Sequence, residues 1–282
     1  MKMSRSLIRV FAIVSVLLAS GCGGGSGDTS SPSVPVSATS YDIDSPAFIE
    51  AETKHAAVSR SARLEGYGKS KSIWPSQSIS VCWVMEDAEF AATAAPRLVT
   101  KQAVENSWSS VSQVRFTGWG KCGTSPFSAN IKIAVEDDAF AGPRAYVGTE
   151  GYTVIPSMWL NFKFQNWRCS RGINECIKRV TVHEFGHALG FVHEQLRPDT
   201  PSTPPSGSAI SQQTWDDCRA SGGGPPGDTL IGAWDLISVM NYCNPKWLGE
   251  GQLSQTDIAM VQKFYGAPIN IFPVLSVLLL DE

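Results

Sequence analysis

The stretch His183-Glu184-Phe185-Gly186-His187-Ala188-Leu189-Gly190-Phe191-Val192-His193-Glu194 decides the reading of this chain. His183 and His187 stand four apart, so on a helix both imidazoles leave the same face. At that spacing two ring nitrogens can reach one Zn²⁺ at about 2.0–2.1 Å. Glu184 is turned by about 100° from His183. It therefore lies beside the ion rather than on it, where a base for a zinc-bound water is needed. Gly190 can take a positive φ, end the helix and bring His193 back as a third ligand. Three protein ligands leave one position open, as catalytic zinc requires, and one ion per chain is expected. The chain has four histidines. His55, outside this stretch, lies in a mixed N-terminal segment and reads as an incidental surface residue.

Downstream stands Ser238-Val239-Met240-Asn241-Tyr242. The extended HExxHxxGxxH pattern followed by such a segment resembles the metzincin metallopeptidases, where a Met-turn lies beneath the metal. Met240 then forms an apolar floor under the three imidazoles. Glu194 after the third His, the run Gln195-Leu196-Arg197-Pro198-Asp199 and the Tyr of the turn resemble the astacin family in particular. That resemblance implies an α/β (α+β) zincin: a twisted, mostly parallel sheet with an antiparallel edge strand, an active-site helix, the Met-turn and a C-terminal helix. It implies zinc-dependent hydrolysis of protein or peptide substrates, with Glu184 as base. It also implies that Tyr242 is a displaceable zinc ligand that stabilises the oxyanion. The resemblance covers residues 72–267, with Ile73-Trp74-Pro75 at its start. There are departures: Asn241 stands where astacins usually have His, and neither a Phe-x-Gly-Asp segment nor a Cys switch is present. In astacins the Glu after the third His meets a new N-terminus; for Glu194, Arg197 is a local alternative.

Two rivals stay open on sequence alone. One is a zinc-retaining binding or adhesion module without turnover, which loss of Glu184 would have favoured. The other is a thermolysin-like hydrolase, which would take a downstream Glu as third ligand in place of His193. A lectin-like role of the Trp-rich surface could coexist with proteolysis.

The composition excludes other classes. The chain has 282 residues, 23 Lys+Arg against 26 Asp+Glu, and a net charge of −3, so it has no basic excess for nucleic acid. With 43% hydrophobic and 17% charged residues it is too apolar to be disordered. A monomer is expected.

Outward from the zinc stretch, helical spacing covers Cys176 to Leu189. Upstream, 78–84, 114–119, 131–135 and 157–164 alternate as strands, the last suited to an edge that would pair with an extended substrate. A helix is expected over 97–110, with Pro96 ahead of it. Downstream, 197–233 is rich in Pro, Gly and Ser, with a short helix near 211–220. Ser254 and Asp257 form a capping-box variant for a helix to Tyr265, stopped by Gly266. The order describes a sheet with helices packed on it. Glu136-Asp137-Asp138 reads as a solvated turn rather than a calcium site.

The N-terminus reads as a signal. Lys2, Arg5 and Arg9 precede an apolar run too short to span a bilayer, ending at Leu18-Ala19-Ser20-Gly21-Cys22. This resembles a bacterial lipoprotein signal over 1–22, with Cys22 as the lipidated residue and membrane anchor. Residues 23–40 are a Gly/Ser-rich linker. Residues 41–71 are an N-terminal arm or short prosegment, with a short helix near 47–59, and 268–282 form a tail packed on the domain. The protein is expected at the bacterial outer membrane or cell surface, otherwise secreted. Outside the cytoplasm the other six cysteines are expected to pair. Several connectivities are open. Short loops favour Cys169–Cys176 and Cys218–Cys243, which leaves Cys82–Cys122.

Overall fold

The computed structural model describes residues 66–269, apart from 126, 139–141, 167, 168, 170, 209 and 222. The expectations for the signal, Cys22, the linker, His55, the helix near 47–59 and the C-terminal tail beyond 269 fall outside the described residues. No helix among the described residues is long and apolar enough to cross a membrane.

Seven strands and five α-helices are built from the described residues. Strands β2 (Ser78–Trp83), β3 (Arg115–Lys121), β4 (Ile131–Val135), β5 (Arg144–Ala145) and β6 (Met158–Leu160) form one sheet in the order β3-β2-β4-β6-β5. All neighbours run parallel except β5, which is antiparallel to β6. The apolar residues Ile79, Val81, Trp83, Ile131 and Ile133 of the inner strands are buried, as parallel strands require. Lys132 breaks the pattern. It is fully buried, and its ammonium donates to the carbonyls of Ala129, Gly151 and Tyr152.

Helices α1 (Asp87–Ala92), α2 (Ala94–Glu105) and α3 (Ile173–Ala188) follow in chain order, with α2 packed on α3. The helix expected over 97–110 begins and ends earlier. Pro96 is accommodated in its first turn, and beyond Glu105 the hydroxyls of Ser107 and Ser110 take the carbonyls of Ala103 and Asn106. Trp108 still reaches the core and donates its indole N–H to Val182 O on α3 at 2.8 Å.

The edge strand is not where the alternation places it. The alternation over 157–164 yields a strand only at Met158–Leu160, and it lies inside the sheet between β4 and β5. Asn161 Oδ1 accepts from the amides of Lys163 and Phe164, turning the chain so that Phe162 and Phe164 enter the core. Asp137 fixes the same turn by accepting from Asn161, Gln165 and Asn166, so it is a structural anchor rather than a merely solvated residue. The edge is Arg144–Ala145. The fold also reaches upstream of Ser72, because β1 (Gly66–Gly68) pairs antiparallel with β7 (Thr229–Ile231).

The Pro/Gly-rich region carries α4 (Gln212–Ala220), capped by Ser211. Trp215, Trp234, Leu236 and Cys243 form a small core of their own beneath it. Helix α5 (Gln255–Tyr265) starts with the capping box of Ser254 and Asp257 and ends at Gly266, φ 86°. Disulfides join Cys82 to Cys122, Cys169 to Cys176 and Cys218 to Cys243.

Candidate metal centre

The last two turns of α3 present His183 and His187 side by side, ring centroids 4.8 Å apart. Each ring is oriented through its Nδ1, which donates to a backbone carbonyl: His183 to Val239 O at 2.7 Å and His187 to Phe191 O at 2.9 Å. Carbonyls only accept, so the proton sits on Nδ1 and the Nε2 lone pair is free to bind a metal. The carbonyl for His187 exists because the helix stops at Gly190. There φ is +98°, and a Cβ would come within 2.6 Å of Ile73 Cδ1. Gly190 N bonds back to His187 O and Phe191 N to Gly186 O, and the reversed chain delivers His193.

The ligand nitrogens of the three histidines lie within 4.8 Å of one another, all buried. His187 Nε2 faces His193 Nε2 at 3.1 Å. Two nitrogens each about 2.0–2.1 Å from a tetrahedral ion stand about 3.3–3.4 Å apart, so the spacing suits zinc. His183 Nε2 is buried with no hydrogen-bond partner, a costly state that a metal relieves. Burial pushes the imidazoles down, to about 3 at His183 and about 4 at His187, so both stay neutral. The residues present therefore fit the ion that the sequence implied.

Glu184 is buried beside them, and its Oε2 also lacks a partner. Burial raises its carboxyl to about 8, against the opposing pull of Arg144. The Tyr242 ring stacks on His183 at 5.3 Å and lies 4.5 Å from His193. Burial and the charge of Glu184 raise its phenol, which keeps the hydroxyl protonated. Met240 is buried with its sulfur against Gly186, where a Cβ would approach to 2.3 Å. The glycine between the two helical histidines thus lets the Met-turn lie close against the helix.

Asn241, the departure from the family pattern, builds the turn. Its side chain donates to Asp235 O and accepts from Cys243 N. Glu194 Oε1 accepts from Asp235 N at 3.0 Å and lies 3.4 Å from the Arg197 guanidinium. Burial pushes the Glu194 carboxyl well up, and Arg197 opposes it. Arg197 also donates to Asp199 and to the carbonyls of Gly66 and Gly232, tying β1 and β7 to this turn.

Glu184, His187, His193 and Tyr242 line a cleft of about 190 Å³, together with Arg144, Ala145, Gly223, Gly224 and Pro225. A larger hollow of about 570 Å³ between α2, α3 and the start of α5 is lined by Gln102, Asn106 and Lys178. Among the described residues the group that could hold a metal, His183, His187 and His193, lies at the smaller cleft. Sequence reasoning missed Gln195, Asp257 as a partner of the Met-turn, and the edge at Arg144. Only Asp257 had a sequence signal, its capping position.

The astacin family model (peptidase family M12A) matches residues 168–266, which hold the three histidines, Glu184, the Met-turn and α5. The chain carries an astacin-like peptidase domain. It is a zinc metalloendopeptidase, and protein or peptide chains are its substrates. Among solved structures, one of myroilysin is 21% identical over 72% of this chain and 100% of its own, with a TM-score of 0.48. A second, also of myroilysin, is 22% identical over 71% and 88%, TM-score 0.43. A zinc-protease hatching enzyme from the medaka fish Oryzias latipes is 18% identical over 71% and 96%, TM-score 0.40. No curated protein matches the chain. The three disulfides of this astacin-like domain suit an oxidising, extracellular setting.

Proposed function

We infer that the chain is an exported endopeptidase in which His183, His187 and His193 hold the zinc and Glu184 is the general base and acid. The observation that carries this reading is the buried, partnerless Glu184 Oε2 beside three imidazoles with inward Nε2 atoms. Bound zinc supplies a Lewis acid that polarises the scissile carbonyl and acidifies the attacking water. Glu184 takes the water proton and delivers it to the leaving amine. The Tyr242 hydroxyl donates to the carbonyl oxygen as it gains charge, and is a fourth, displaceable ligand in the resting state. The edge strand Arg144–Ala145 offers backbone groups to an extended substrate beside the cleft. The substrates are extracytoplasmic proteins, and Cys22 anchors the enzyme to a membrane surface through lipid.

The test is casein cleavage by the zinc-loaded chain beside Glu184→Gln, with cut sites mapped by mass spectrometry. Cleavage should be lost in the variant and on chelation, with zinc still bound by the variant. A fully active Glu184→Gln would remove the base assignment. A wild-type chain that holds zinc and never cleaves would favour the non-catalytic binding module.

A further inference from the structure

Gln195 is a buried side chain that the chemistry above does not use. It lies in the short turn Glu194–Leu196 that follows His193. Its Oε1 accepts from Tyr242 N at 3.0 Å and its Nε2 donates to Ser221 O at 3.1 Å. The partners fix the amide orientation, since only the oxygen can accept from an N–H and only the nitrogen can donate to a carbonyl. One residue earlier, Glu194 N donates to Met240 O at 3.0 Å, so two successive residues of this turn grip the Met-turn. The far side of Gln195 holds the cleft wall. Ser221 ends α4, Gly223 to Pro225 line the cleft, and Cys218 of α4 is bridged to Cys243, the residue after Tyr242.

We propose that Gln195 is a positioning residue: its amide joins the His193 turn, the Tyr242 backbone and Ser221 at the end of α4, and so sets where the Tyr242 hydroxyl stands over the cleft. The inference rests on the reading of Tyr242 as an oxyanion donor and displaceable ligand. Tyr242 carries its ring 4.5 Å from that of His193, and a backbone shift at residue 242 carries the hydroxyl with it. Catalytic donors tolerate little misplacement, since about 1 Å can cost about a hundredfold. A disulfide at the next residue limits the drift, so the expected loss is smaller.

The experiment compares the full, zinc-loaded chain with Gln195→Met and Gln195→Glu, each alone and with Tyr242→Phe, on a short fluorogenic peptide. Gln195→Met keeps the volume and removes both hydrogen bonds. Its kcat should fall about tenfold, the worth of one positioning hydrogen bond, with a smaller change in KM. Gln195→Glu, held protonated by burial, keeps an oxygen for Tyr242 N and a hydroxyl for Ser221 O, and should hold kcat within about twofold of wild type. In the Tyr242→Phe background the effect of Gln195→Met should vanish, because the hydroxyl being positioned is gone. An equal loss in both backgrounds, an unaltered kcat in Gln195→Met, or a tenfold loss in a well-folded Gln195→Glu would each overturn the proposal.

A second readout needs no turnover. Loaded with copper(II), the wild-type chain should show the visible phenolate-to-copper band of a Tyr ligand, absent in Tyr242→Phe and weakened or shifted in Gln195→Met. An identical band in wild type and Gln195→Met overturns the role of Gln195. Wild-type protein that shows the band and never cleaves would instead remove the proteolytic reading and leave Gln195 to be judged by the band. If Gln195→Met does not fold, Gln195→Glu decides by its kcat and its band.

Discussion

Asp257, at the start of the C-terminal helix, accepts the N–H of Val239 through Oδ2 at 3.0 Å, and the carbonyl of that same Val239 accepts Nδ1–H of His183 at 2.7 Å. One peptide residue therefore links a helix cap to a metal-site imidazole. Asp257 also accepts from Ser238 Oγ at 2.7 Å and from Ser254 N at 2.9 Å. Replacing it with Asn turns an NH2 toward donors that need an acceptor. Asp257→Asn should cost about 2–3 kcal/mol of stability, from a lost buried charge-assisted network and half of a capping box. Because the network orients His183, zinc affinity should also fall by about 10–100-fold. Thermal melts and competition with a chelator read the two effects. An unchanged zinc affinity in the folded variant would confine Asp257 to a structural role.

The raised carboxyl of Glu184 gives a pH test on metal-free protein. Its folded value, about 8, lies above the ordinary 4.5, so the folded state holds the proton more tightly than the unfolded one. The contribution of the neutral carboxyl is complete below pH 4.5 and is lost as pH rises towards 8. Glu184→Gln removes that dependence. Metal-free Glu184→Gln and wild type should match in stability near pH 4.5 and then diverge, the variant becoming more stable by a few kcal/mol above pH 8. Urea denaturation at a series of pH values measures the gap; a gap that stays flat with pH contradicts the burial of an ionisable Glu184.

The three disulfides should differ in worth by the length of chain they close. Cys82–Cys122, Cys218–Cys243 and Cys169–Cys176 are separated by 40, 25 and 7 residues. Chain-entropy reasoning gives about 4, 3.5 and 2.5 kcal/mol in that order. Double Cys→Ser variants compared by denaturation should keep this ranking. Cys218–Cys243 should also affect turnover, since it ties the residue beside Tyr242 to α4, the helix that precedes the Gly223–Pro225 part of the cleft lining; full activity after its loss would show that the cleft stands without it.

Local sequence patterns carried much of this fold. Ser254 and Asp257 read as a cap and form one, and Ile131, Ile133 and Val135 alternate and form β4, because each pattern expresses a local periodicity. The zinc stretch was legible for the same reason, since helical spacing alone sets His183 and His187 side by side. What the sequence hid is non-local. Nothing in Arg144-Ala145 marks a two-residue edge strand, and the alternation through Phe164 masked an Asn161 turn. Gln195 looks like an ordinary polar residue until Tyr242 and Ser221 are brought to it from 47 and 26 residues away.

The outer side of β5 gives the last prediction. Tyr146 N bonds inward to Ser157 O at 3.0 Å, and in an extended strand successive amides face opposite ways. The Ala145 N–H therefore faces away from β6, and Ala145 is a residue that lines the cleft. Ala145→Pro removes that one donor and no ladder bond, a substitution that edge strands tolerate. Stability should change by less than about 1 kcal/mol. The kcat/KM for long peptides should fall about tenfold, for one hydrogen bond to an extended substrate, while a minimal peptide that does not reach the strand should be cut as before. Equal kinetics on the long peptide would show that substrate binds without pairing to this edge.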